Sequence, residues 1–206
     1  MLAGVNPTRM ELQRLKKRLI LALRGHKLLK DKRDELMRRL LEIIEEVKTL
    51  RLSIENEFQS ILEGFMLASA LTGPNQTEQA LLLTNKKVFI SVSEKNIMSV
   101  KVPVFEKEVS GEIINYGFLN TTGELDLSLI KFEKFLEALL KLAEKEKTVN
   151  LLANEVEETR RRVNALEYRL IPEIEETIKY ITMKLSETER SNTVRLMKVK
   201  DIVRSH

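Results

Sequence analysis

Cysteine and tryptophan are missing from this 206-residue chain, proline occurs 4 times, glycine 7 times, and aromatic residues make up only 5%. Without cysteine there can be no disulfide, no thiolate metal site and no cysteine nucleophile, a pattern that fits a reducing compartment. So few aromatics and chain breakers argue against an ordinary globular domain with a bulky core. No uncharged apolar run approaches the roughly 18–20 residues that span a bilayer. The short start, Met1 to Pro7, is followed by strongly charged sequence, so no signal peptide is expected and the chain is read as cytoplasmic. What is present is charge, 32% of residues, beside 43% hydrophobic residues. That is too apolar for a disordered chain. It matches long helices that carry one apolar seam and many solvated side chains.

The net charge of +4 is unevenly spread. Residues 1–40 hold 12 Lys/Arg against 4 Asp/Glu, residues 41–149 hold 12 against 17, and residues 190–206 hold 5 against 1. Both ends are basic and the middle is acidic. If the ends meet, one tip of the molecule is strongly positive.

Thr8 follows Pro7 and precedes Glu11 by three residues, the pattern of a helix-starting capping box. No proline interrupts the chain from there to Thr72-Gly73-Pro74. A seven-residue repeat runs through this stretch. One set of seam positions is Leu12, Leu19, His26, Arg33, Leu40, Val47, Ile54, Ile61 and Ala68. The other is Leu15, Ala22, Leu29, Leu36, Ile43, Leu50, Glu57, Gly64 and Leu71. A single surface helix does not hold a 3.5-residue repeat that long, so this is a coiled-coil strand. Ile20, Leu21, Leu23, Leu41, Ile44, Phe58, Phe65 and Met66 lie off the seam. Either a partner covers them or the interface within the pair is broader than two stripes.

A second helical region begins near Glu124. Its seam runs through Val149, Leu152, Val156, Thr159, Val163, Leu166 and Leu170, then resumes beyond Pro172 as Ile174, Ile178, Ile181 and Leu185. The consecutive four-residue steps from Leu170 to Ile174 to Ile178 predict a stutter that locally unwinds the supercoil. Pro172 removes one backbone donor, and a bend rather than a stop is expected there. Between the helices, 87–92 and 97–102 are rich in β-branched residues and predict two strands joined by Ser93 to Asn96, with a weaker third strand at 113–116. Two long helices separated by a short insert must return on each other. The predicted fold is mainly α, an antiparallel two-helix coiled coil with a small β-hairpin insert, divided as 1–71, 72–123 and 124–206. Both basic termini then lie at one end, and the insert is expected to face a partner.

Nothing in the sequence supports catalysis. It has no phosphate-binding loop, no dinucleotide fingerprint and no zinc-protease motif. His26 and His206 are a poor metal pair without further ligands. Glu173, Glu175 and Glu176 belong to a solvated face of mixed charge. No catalytic residue, cofactor or metal site is predicted. The most pointed polar feature is Arg160-Arg161-Arg162. Three successive helical residues project about 100° apart, so at least one points away from the seam and is available to a partner carboxylate. Pairing with Glu157 and Glu158 inside the helix is the equal alternative.

Stretches at both ends of the chain resemble one family. Val5-Asn6-Pro7-Thr8-Arg9-Met10 and the stretch from Arg24 to Leu36 are similar to the start of the D subunit of V-type and A-type ATPases. Thr159 to Tyr168 with Ile171-Pro172, and the closing Arg195-Leu196-Met197-Lys198-Val199-Lys200, are similar to its end. The resemblance implies a central stalk formed with the small F subunit. It also implies paired termini inside a ring of catalytic A and non-catalytic B subunits, and a far end docked on the component that seats on the membrane rotor. It implies a cytoplasmic, membrane-peripheral rotor without nucleotide chemistry or direct membrane insertion. Arg160, Arg161, Arg162, Arg195, Lys198 and Lys200 are the candidate partner contacts. Two other readings use the same helices. A prefoldin-like chaperone would need apolar rather than charged tips, and a nucleic-acid-binding coil fits poorly with the acidic middle and sparse aromatics.

Overall fold

The computed structural model describes residues 6–82, 85–117 and 121–204. In chain order the elements are helix α1 (Arg9–Thr72), helix α2 (Pro74–Leu82), strands β1 (Lys87–Ile97) and β2 (Val100–Ser110), and helix α3 (Gly123–Ala165). A single turn of π helix (Leu166–Leu170) and helix α4 (Ile171–Arg204) complete it. The chain is mainly α, as expected, with a two-stranded antiparallel hairpin between long helices.

The chain divides into two compact units, one of residues 1–35 with 156–206 and one of residues 36–155. In the first unit, Leu15 packs with Ile174 and Ile181, flanked by Leu12, Leu19, Leu170, Ile178 and Leu185. Arg9 pairs with Glu189 and His26 approaches Glu167. Rising numbers on α1 therefore meet falling numbers on its partner helix, which is antiparallel pairing. The second unit shows the same order. Glu46 pairs with Lys145, Ile54 and Ile61 pack on Phe135, and Thr72 meets Thr122. Of the expected α1 seam, only Glu57 and Leu71 are exposed; Leu15, Leu36, Leu40, Ile54, Ile61 and Ala68 are buried. The period of 3.5 is thus realised as a stripe of buried and half-buried residues.

Helix α1 starts as its capping residues require. The Glu11 N–H donates to the Thr8 hydroxyl at 3.2 Å. The reciprocal half of the box is not made, because the Thr8 N–H donates to the Asn6 carbonyl. The helix ends at Gly73, whose φ of 92° is the left-handed conformation glycine adopts without steric cost. Pro74 then opens α2, a helix that the hydrophobic pattern does not announce; proline is well placed in a first helical turn, where the N–H it lacks has no partner anyway.

The hairpin differs from expectation in a definite way. Its strands are longer, 87–97 and 100–110, and the turn is Met98-Ser99 rather than Ser93 to Asn96. Both turn residues have positive φ, 51° and 73°, the geometry that matches the twist of a two-residue hairpin. Asn96 supports the turn by accepting the Ser99 N–H at 2.9 Å. The polar run at 93–96 reads as a turn by composition, but its residues are exposed strand residues. Residues 113–116 form no strand; Tyr116 is instead buried with Ala68, Ala80 and Leu125. The edge of β2 is occupied, since the Phe105 N–H donates to the Glu144 carboxylate of α3 at 3.3 Å. Lys107 pairs with Glu137 on the same helix at 2.9 Å. Strand β1 is exposed along nearly its whole length.

At Pro172 the helical path continues. The Ile171 N–H donates to the Leu166 carbonyl, five residues back, so the turn before the proline is π-helical. Instead of the stutter and unwinding expected from the four-residue steps, the surplus residue is taken up in one widened turn.

Candidate partner interface

The six candidate contact residues fall in two places. Thr159 and Val163 are buried in the seam, which turns Arg160, Arg161 and Arg162 outward, all exposed. Arg161 pairs with Glu157 and Arg162 with Glu158, each four residues back. Such exposed pairs contribute little to stability, about 0.3–0.5 kcal/mol each. Arg160 makes no ion pair among the described residues. The alternatives left open by the sequence are therefore divided, with two arginines satisfied locally and one aimed at solvent.

Arg195, Lys198 and Lys200 lie on the last part of α4. Helix α1 begins at Arg9, and Arg9 already faces Glu189, so α4 runs on from Arg190 to Arg204 beyond the last of these helix–helix pairs. Every residue from Arg190 to Arg204 is exposed. Val194, Leu196, Met197, Val199, Ile202 and Val203 are large apolar side chains open to water, interleaved with five cations and one acid. A helix this short is marginal in water by itself, and apolar groups on all sides gain only if something surrounds them.

The unit containing these residues holds 21 Lys/Arg against 13 Asp/Glu, whereas the unit of residues 36–155 holds 14 against 18. The basic ends seen in the sequence are thus gathered into one compact unit. In the acidic unit, an apolar groove of about 250 Å³ is lined by Phe58, Leu62, Phe65, Leu81, Leu129 and Phe132 among others. Phe58 stacks on Phe135 with centroids 5.5 Å apart. This groove draws in Phe58 and Phe65, two of the off-seam apolar residues of α1. Ile20, Leu21, Leu23, Leu41 and Met66 remain exposed. The groove could not be read from periodicity alone, because it depends on Leu81 of the unforeseen helix α2.

His26 is half-buried, with Nε2 3.4 Å from a Glu167 oxygen. No group of three or more His, Asp or Glu positioned to hold a metal occurs among the described residues, and His206 lies outside them. The strongest electrostatic perturbation is structural. Tyr116 donates to Asp126 at 2.5 Å, and its phenol is pushed well above the usual range, first by burial, then by that hydrogen bond and the carboxylate's charge. It pins the segment before α3 to that helix's first turn.

The family model for the D subunit of ATP synthase matches residues 11–201, nearly the whole chain. The chain belongs to that family. Among curated relatives, the V-type ATP synthase D subunit of Fusobacterium nucleatum is 52% identical over 202 residues, covering 97% of this chain and 96% of the relative. The protein of the same description from Thermoanaerobacter sp. is 51% identical over 201 residues, with the same coverage. That from Acetivibrio thermocellus is 51% identical over 203 residues, covering 97% and 91%. The match takes in the hairpin as well as both helices, so the family likeness extends to the insert, whose residues carry no motif of their own. No helix among the described residues is long and apolar enough to cross a membrane.

Proposed function

We propose that this chain is the central rotor shaft of a V-type or A-type rotary ATPase. In this role it is a non-catalytic element that couples nucleotide turnover in a ring of A and B subunits to proton or sodium movement in the membrane sector. The observation that carries the reading is the bare helix Arg190–Arg204, apolar on several sides and studded with cations, which requires a surrounding partner to be stable. A ring cavity with apolar walls and acidic rims is such a partner. The exposed arginine run 160–162 lies in the same basic unit and extends the contact.

The physics of the task suits a paired helix. A two-helix coiled coil has a cross-section without threefold symmetry, so three equivalent ring interfaces meet three different surfaces at any angle. A ligand shifts a conformational equilibrium only through its differential affinity for the states. Driving one interface from 1:99 to 99:1 takes about 5.5 kcal/mol of such difference, a sum within reach of a few buried apolar contacts and desolvated charge pairs. The division into helix 1–71, insert 72–123 and helix 124–206 then assigns separate tasks. The paired termini engage the ring, while the insert and the acidic unit meet the F subunit and the component seated on the membrane rotor. The complex is membrane-bound and this chain peripheral to it.

The test is reconstitution. The purified chain mixed with the ring of A and B subunits and with the F subunit is expected to co-elute and to support ATP turnover coupled to rotation. Reversal of Arg195, Lys198 and Lys200 to Glu should weaken assembly while leaving helicity by circular dichroism unchanged, and reversal of Arg160 should exceed reversal of Arg161 or Arg162. Failure of the unaltered chain to co-elute removes the proposal.

A further inference from the structure

The buried seam of α3 runs Leu152, Val156, Thr159, Val163, in steps of four, three and four. Continued through Leu166 and Leu170, that repeat next calls for position 173. The residues packed around Leu15 are instead Ile174, Ile178 and Ile181, in steps of four and three, each one position later than the repeat calls for. The C-terminal strand of the coil thus carries one residue more than its heptads require. On α1 the opposing seam from Leu12 to Leu29 is unbroken. The π turn Leu166–Leu170 sits where the surplus arises, and one widened turn takes up one extra residue.

Three observations make this stretch weaker than the paired turns on either side of it. No residue from 164 to 173 is buried, whereas Thr159 and Val163 on one side and Ile174, Thr177 and Ile181 on the other are nearly inaccessible. Helix α1 reaches this stretch through His26, which follows the small residues Ala22 and Gly25 in sequence. A Cβ on Gly25 would meet nothing within 4 Å, and the His26–Glu167 approach is long at 3.4 Å. The backbone is also short of donors. The Ile171 N–H is committed to Leu166 and Pro172 has none, so neither serves the Glu167 carbonyl.

We propose that residues 164–173 form a register joint. The surplus residue forces a π turn that opens before the paired turns on either side of it, and this lets α4 reseat on α1 by one residue without disturbing the seam of α3. Pro172, placed in the first turn of α4, marks where the new helix starts but does not create the joint. The assignment concerns the chain's own mechanics and is tested without the ring, so it stands or falls separately from the shaft reading.

The experiment is amide hydrogen exchange by mass spectrometry on the full chain, with two variants. In the parent, peptides covering 164–173 are expected to exchange about tenfold or more faster than those covering 152–163 and 174–185, since local opening tracks sparse burial. Deleting Arg169 together with Pro172→Ala removes the surplus residue; exchange should fall to the level of the flanks and the thermal midpoint should rise. Pro172→Ala alone keeps the surplus residue, and fast exchange should persist. Equal protection across the three regions in the parent overturns the proposal. So does a fast or destabilised deletion variant, or slow exchange in Pro172→Ala alone, which would make the proline the cause.

Discussion

Two glycines on the same helix give opposite expectations from a single added methyl group. Gly25 and Gly64 are both in the interior of α1, where replacing glycine by alanine stabilises by roughly 0.5–1 kcal/mol through backbone entropy. At Gly25 the methyl group meets nothing within 4 Å, so that gain should appear undiminished. At Gly64 it would lie 2.9 Å from the Ser128 hydroxyl, closer than real contacts allow. Ser128 is buried, and its Oγ donates to the Glu124 carbonyl at 2.8 Å. Turning the hydroxyl aside breaks that bond in a site with little water, at a cost of about 1–3 kcal/mol. The net expectation for Gly64→Ala is a loss of roughly 0–2 kcal/mol, against a gain for Gly25→Ala. Ser128→Ala should remove the obstruction, so Gly64→Ala made in that background should stabilise. The double-mutant cycle is then expected to return a coupling of about 1–3 kcal/mol. Thermal unfolding followed by far-ultraviolet circular dichroism resolves this, because 1 kcal/mol shifts the midpoint by roughly 2–4 °C in a chain of this size. Equal upward shifts from both single substitutions would refute the close approach of α3 to α1 at Gly64.

Other substitutions probe the seam and its exposed flank. Ile181 is fully buried, and Ile181→Ala should cost about 2–5 kcal/mol in urea unfolding, whereas Leu21→Ala, at an exposed position, should stay within about 0.5 kcal/mol. Tyr116→Phe leaves the ring in place but removes the donor to Asp126, and should cost about 1–3 kcal/mol. The Tyr116 phenol titrates higher in the folded chain than in the unfolded one. Its contribution is therefore complete below the ordinary tyrosine value of about 10 and declines as pH rises above it toward the folded value. Unfolding measured from about pH 8 to 11, a range that brackets the ordinary tyrosine value, should show a steeper alkaline loss in the parent than in Tyr116→Phe. Parallel curves would count against the buried hydrogen bond.

The long helices were legible because burial on α1 follows one period over its length. Leu15, Leu36, Ile54 and Ala68 are buried where the repeat puts them. The seam's polar members were legible too, since Thr159 and His26 lie on it despite their chemistry. The hairpin turn was not. Ser93 to Asn96 has the composition of a turn, while Met98-Ser99 has none of the Asn-Gly character that usually announces positive φ. Composition reports solvent exposure, and a strand open on both faces is as polar as a loop. The π turn was half visible: the four-residue steps located the irregularity, but the expectation placed it in an unwound supercoil rather than in a widened backbone turn. Of the candidate contacts, the seam required only that at least one of Arg160, Arg161 and Arg162 face outward, and the difference between Arg160 and its two neighbours depended on glutamates four residues upstream.

A two-stranded ribbon has two raw margins, and among the described residues only one is closed, by the Glu144 carboxylate reaching the Phe105 N–H. Along the other run Val88, Phe89, Ile90 and Val92, uncharged and open to water. A chain overproduced without its companions therefore carries its own seed for sheet-to-sheet clumping. A lysine in place of Ile90 is the smallest edit that should keep such a preparation in solution.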